Sequence, residues 1–139
     1  MSKAVEVFKS LANEISVNEV LEWCVDAGMS ADQIISLVPG TEVELVPPKW
    51  GKPEDYLFEH DSKSYQFRML DETGGGEGGG DYVQRIVGVF EKVDSVCVYI
   101  GAVEIEGFYS SYDGIDWNDE DTFESVVPKA ITAIDWVTE

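Results

Sequence analysis

A chain of 139 residues with 9 Lys or Arg, 28 Asp or Glu and a single His carries a net charge of −19, a balance that repels phosphate backbones and anionic lipid and attracts basic surfaces. Its 44% hydrophobic and 12% aromatic content fits one folded domain with its own core and excludes a disordered segment. No apolar run approaches the roughly 18 residues that a membrane helix needs, and Met1-Ser2-Lys3-Ala4 opens onto an amphipathic segment that already contains Glu6, unlike a signal peptide.

The first 40 residues read as helices. Val5, Phe8, Leu11, Ala12 and Ile15 keep an i, i+3, i+4, i+7 stripe. Ser16-Val17-Asn18-Glu19 is a capping box that starts a second helix through Val20, Leu21, Cys24 and Ala27, with Gly28 as its stop. Ser30-Ala31-Asp32-Gln33 is another box, opening a short helix through Ile34, Ile35 and Leu37 that Pro39-Gly40 ends. Cys24 and Cys97 both sit in apolar runs and form no C-x-x-C pair, so they read as buried, reduced thiols of a cytoplasmic protein.

From Glu42 onward the chain reads as strands. Glu42–Val46 leads into Pro47-Pro48, and Lys49–Pro53 is a loop carrying Trp50. Tyr56-Leu57-Phe58 and Tyr65–Met69 flank a polar turn at His60–Ser64, with Tyr65, Phe67 and Met69 on one face. Thr73–Gly80, T-G-G-G-E-G-G-G, reads as a flexible loop. Strands follow at Val83–Phe90, Val96–Ile100, Val103–Tyr109, Glu124–Val127 and Ala130–Val137, at the short spacing of an antiparallel meander. The expected fold is therefore α+β: N-terminal helices on an antiparallel sheet of five or six strands, in one domain over residues 1–139.

Several chemistries fail on residue type. The helices around Gly28 have helix-turn-helix spacing, but Ser30–Val38 holds Asp32 and no cation with which to read DNA. The glycine run lacks the G-K-[ST] ending of a phosphate loop and carries Glu77. His60, the only histidine, falls on a polar turn and reads as solvated rather than as part of a triad or zinc site. Asp113–Glu124 starts like a calcium loop at Asp116, yet Asp121 stands where the turn glycine belongs and Val127 where the closing Glu belongs. A structured acidic loop is expected there, with no cofactor, no metal and no catalytic residues.

The charge is uneven: 2 basic and 8 acidic residues over 1–46, 6 and 9 over 47–93, and 1 and 11 over 94–139, so the last third carries −10. Within it Glu104, Glu106, Asp113, Asp116, Asp119, Glu120 and Asp121 interleave with Tyr109, Tyr112 and Trp117. Rigid aromatics that anchor and acids that orient make a partner-binding surface. These ten residues are the candidate site.

Gly107-Phe108-Tyr109-Ser110-Ser111-Tyr112-Asp113-Gly114, then Trp117 and acids, then Val126-Val127-Pro128 and a last strand, resembles the C-terminal part of small acidic proteins from phages and mobile elements. The resemblance covers about residues 90–137 and leaves out the helical first 40. It implies a protein that blocks host defence machinery, of the anti-CRISPR or anti-restriction kind, some of which imitate DNA with carboxylates. The expected function is a non-enzymatic inhibitor or adaptor acting in the bacterial cytoplasm. Its partner would be a host protein with a basic, nucleic-acid-binding surface, with no direct binding of nucleic acid or membrane. The alternative is a virion or assembly protein that self-associates, as a homodimer or larger, through an open sheet edge.

Overall fold

The computed structural model describes residues 3–14, 25–45, 57–74, 81–94, 96–110, 114–117, 124–130 and 134–138. Helix α1 (Lys3–Glu14) follows the expected stripe and widens it: Ala4 and Val7 are buried beside Val5, Phe8, Leu11 and Ala12. A stripe this broad beds the helix into a sheet face, and each fully buried Phe, Leu or Val contributes about 1.5–3 kcal/mol. Phe8 meets Phe67 edge to face at 5.7 Å between centroids.

Strand β1 (Val25–Asp26) lies where a helix running to Gly28 is expected. It pairs in parallel with Arg68 and Met69, and the Ala27 N–H donates to the Met69 carbonyl at 3.0 Å. Sheet hydrogen bonds override the local helical pattern at Val25-Asp26, so Gly28 (φ +70°) turns the chain out of a strand. The Ser16 capping box and Cys24 lie outside the described residues. Helix α2 (Ala31–Ile35) starts as its capping box requires: the Gln33 N–H donates to Ser30 Oγ at 3.3 Å and the Ser30 N–H to Gln33 Oε1 at 2.8 Å. Thr41 N–H then bonds the Val38 carbonyl at 3.0 Å across Pro39-Gly40, with Gly40 at φ +99°, the left-handed position of a type II turn.

The remaining strands are β2 (Glu42–Val43), β3 (Phe58–His60), β4 (Lys63–Gly74), β5 (Asp81–Val93), β6 (Val96–Ser110), β7 (Gly114–Trp117), β8 (Glu124–Ala130) and β9 (Ile134–Thr138). The backbone of the sheet is the antiparallel path β4-β5-β6-β8-β9, with β1 and β3 on β4 and β2 and β7 on β6. The domain is α+β. Val96–Ile100 and Val103–Tyr109 are one strand rather than two, and Gly114–Trp117 is a strand within the expected acidic loop. The β3–β4 hairpin turns on Asp61 and Ser62, both at positive φ (51° and 66°), as a two-residue turn matched to strand twist demands.

Two bulges kink the long strands. Leu70 is the extra residue of β4 between Met69 and Asp71, and Ile100 that of β6 opposite Val89 and Phe90. They sit on either side of β5 and sharpen the local bend. α1 covers one face of the sheet, packing on Tyr65, Phe67, Val87, Val89, Val103 and Ile105. Residues 27–45 cover part of the far face, where Leu37 joins Ile86, Phe90, Tyr99, Ala102 and Val126. Both faces of β4 are thus buried, so Gln66 and Arg68 are inside although their alternation with Tyr65 and Phe67 suggests solvent. The Arg68 guanidinium donates to Gln66 Oε1 at 3.1 Å, consistent with the rule that buried charge survives only with partners.

Candidate acidic face

Antiparallel partners share a face, and residues two apart on a strand share it too. Ala102 belongs to the far-face core, so Glu104 and Glu106 continue that face along β6. Asp116 is the register partner of Phe108, and Glu124 that of Glu104. The bulge at Leu70 adds Asp71, register partner of the far-face Ile86. Asp71, Glu104 and Glu106 therefore form an acidic row at the end of the far face beyond the core.

In the register of β6 with β7, Tyr109 pairs with Ile115 and Trp117 with Gly107. Tyr112, Asp113, Asp119, Glu120 and Asp121 lie outside the described residues, and of the ten candidates the structure brings Glu104 and Glu106 together on one face. The aromatic on that face is Trp136.

Trp136 shows how the face is shaped. Its indole N–H donates to Asp71 Oδ2 at 2.8 Å. Asp71 is on β4 and Trp136 on β9, four strand spacings apart in the sheet order, on the order of 19 Å in a flat sheet. The sheet must curl, bringing the β8–β9 hairpin back over the far face and making it concave. Asp71 Oδ1 also accepts the Glu72 N–H at 2.9 Å, which fixes the carboxylate. Glu104 is held by Gln84, whose amide donates to Oε1 at 2.7 Å.

Among the described residues, several cations have partners away from this row. Arg85 pairs with Glu72 as its cross-strand partner on the helix-covered face. Lys129, the single Lys or Arg of residues 94–139, is the register partner of Asp135. Lys3 pairs with Glu6 at 3.1 Å and Asp61 at 3.7 Å, Lys63 with Glu91 at 3.3 Å, and Arg68 is 3% exposed.

His60 is not the solvated turn residue that its sequence context suggests. Its side chain is 18% exposed, stacked on Phe58 at 6.3 Å and tilted against Tyr65 at 6.5 Å, with Nε2 3.4 Å from Asp61 Oδ2 but without a hydrogen bond. The ring packs with residues of the helix-face core, remote from the acidic row. Among the described residues, no group of three or more His, Cys, Asp and Glu is arranged to hold a metal ion, and no helix is long and apolar enough to cross a membrane.

Comparison with protein-family models, curated proteins and solved structures finds no match.

Asp71, Gln84 and Trp136 carry no signal in the sequence that marks them for this face. Asp71 becomes legible once Ile86 is placed in the far-face core, because register then assigns its face.

Proposed function

We propose that this protein is a non-enzymatic binding module that presents carboxylates to the basic, nucleic-acid-binding surface of a partner protein. The observation that carries the reading is the row of Asp71, Glu104 and Glu106 on one concave face. Such a row suits a partner's Lys and Arg side chains, and the net charge of −19 speeds the encounter. Trp136 contributes apolar surface to the same face. A phage or mobile-element protein that blocks host nucleic-acid-handling machinery in the bacterial cytoplasm is the role this chemistry suits.

The test is a tagged pull-down from bacterial lysate at low and high salt, repeated with E104Q/E106Q/D116N. A nucleic-acid-binding protein held at low salt, released at high salt and bound at least about tenfold more weakly by the variant is the expected result. Equal capture by variant and wild type removes the acidic face as the contact. A second reading rests on β9, which among the described residues pairs with β8 alone and exposes Val137. An open edge of this kind supports strand-to-strand self-association. Light scattering across a concentration series separates the two, since the binding module stays monomeric.

A further inference from the structure

A second recognition element lies on the other part of the far face, along β2. Over residues 42–45 the exposure alternates: Glu42 and Glu44 are exposed, Val43 and Leu45 half-buried. Recesses flank this segment on both sides. One, of about 370 Å³, has Met29, Leu37 and Val43 in its floor and Gln33, Ser36 and Thr41 on its rim. The other, of about 520 Å³, is bounded by Leu45 and Val96. Glu42, Val43 and Glu44 line both, so β2 runs between the two recesses. Val96 and nearby Val93 are among the few large apolar side chains left exposed, at 38% and 41%.

Three observations select the occupant. Among the described residues, β2 pairs with β6 alone, leaving its outer edge as a template for another strand. Among the described residues, neither Glu42 nor Glu44 has an ion pair; Lys92, opposite Cys97 on the far side of β6, pairs with neither. An acid–apolar alternation with period 2 complements an extended chain that alternates cationic and apolar residues. Against such a chain, lysines fall opposite Glu42 and Glu44 and apolar residues opposite Val43 and Leu45, because cross-strand partners share a face.

We propose that the β2 edge docks an extended, lysine-rich segment of a partner protein, separately from the acidic row on β4 and β6. The inference rests on the partner being basic, as argued above, and assigns it a second, sequence-selective contact. The probe is the peptide Lys-Val-Lys-Val-Lys, titrated into the ¹⁵N-labelled full-length protein. The amides of Met29, Leu37, Val43 and Val96 should shift together and saturate. E42Q/E44Q, two exposed substitutions whose folding is checked by circular dichroism, should weaken binding at least tenfold, and E104Q/E106Q/D116N should leave it within twofold. Glu-Val-Glu-Val-Glu should not bind. If the shifts instead cluster on Glu104–Glu106 and only the triple variant loses binding, the β2 site is wrong and the acidic-row reading stands. If the β2 pattern appears while the lysate partner ignores the triple variant, the reverse holds. No saturable binding to the wild type overturns the β2 site outright.

Discussion

The Trp136 indole and the Asp71 carboxylate bridge strands distant in the sheet order, so the two should be energetically coupled. Trp136→Phe removes the indole N–H while keeping an aromatic ring beside the far-face core. Asp71→Ala removes the acceptor and also the carboxylate that receives the Glu72 N–H. Hydrogen bonds to a charged group contribute about 1.5–3 kcal/mol. Both side chains here are half-buried, which places the coupling near the lower end, at about 1–1.5 kcal/mol. Each single variant should lose roughly 2 kcal/mol, and the double variant should lose less than their sum by the coupling. Urea unfolding of the four proteins at constant slope measures it. In a chain of this length 1 kcal/mol corresponds to roughly 3–5 °C in Tm, so thermal melts give an independent reading. Strict additivity, with coupling below about 0.3 kcal/mol, would mean that β9 does not close over β4, and the concave face would go with it.

Two further outcomes follow from local geometry. Gly101 has φ +155°, and a Cβ there would stand 2.9 Å from the Ala4 Cβ of α1, so Gly101→Ala should cost about 1–3 kcal/mol in urea unfolding. Adding Ala4→Gly should recover the steric part and leave the conformational part; a Gly101→Ala protein as stable as wild type refutes the close approach. Burial holds the Cys97 thiol above its ordinary range, against the opposing pull of Lys92 and Arg68. In a Cys24→Ser background, Cys97 should react with a thiol reagent at pH 8 more slowly than in urea-unfolded protein. The sign for stability follows, because the unfolded thiol gives up its proton first. The contribution is intact below about pH 8.5 and declines as pH rises past it. A folded-state rate equal to the unfolded one rules out the burial effect.

Legibility in the sequence tracks how local each cause is. The Ser30–Gln33 capping box is a contact within four residues, and it forms as read. The α1 stripe likewise depends on spacing alone. Val25-Asp26 was misread because its structure is dictated by Arg68 and Met69, more than 40 residues away in the chain. Gln66 and Arg68 look like a solvent face, and only residues 27–45 lying across β4 make them interior. The candidate site was legible as composition and not as arrangement. Alternation puts Glu104 and Glu106 on one face, and the bulge at Leu70 adds Asp71 to it, which no count of neighbouring residue types reveals.

The paired bulges also bear on how the chain finds its alignment. Between Leu70 on β4 and Ile100 on β6, β5 is gripped by two kinks whose neighbouring atoms interlock: a Cβ on Gly88 would already meet Phe90 at 2.9 Å and Leu70 at 3.0 Å. A one-residue slip of either neighbour would move every far-face side chain to the helix face, seating carboxylates beneath α1. It would also slide a kink off the only glycine within the β5 span between them. Misaligned hairpins therefore fail at two places at once, and the two kinks act as a proofreading device for three long strands that repetitive hydrogen bonding alone would leave free to shift.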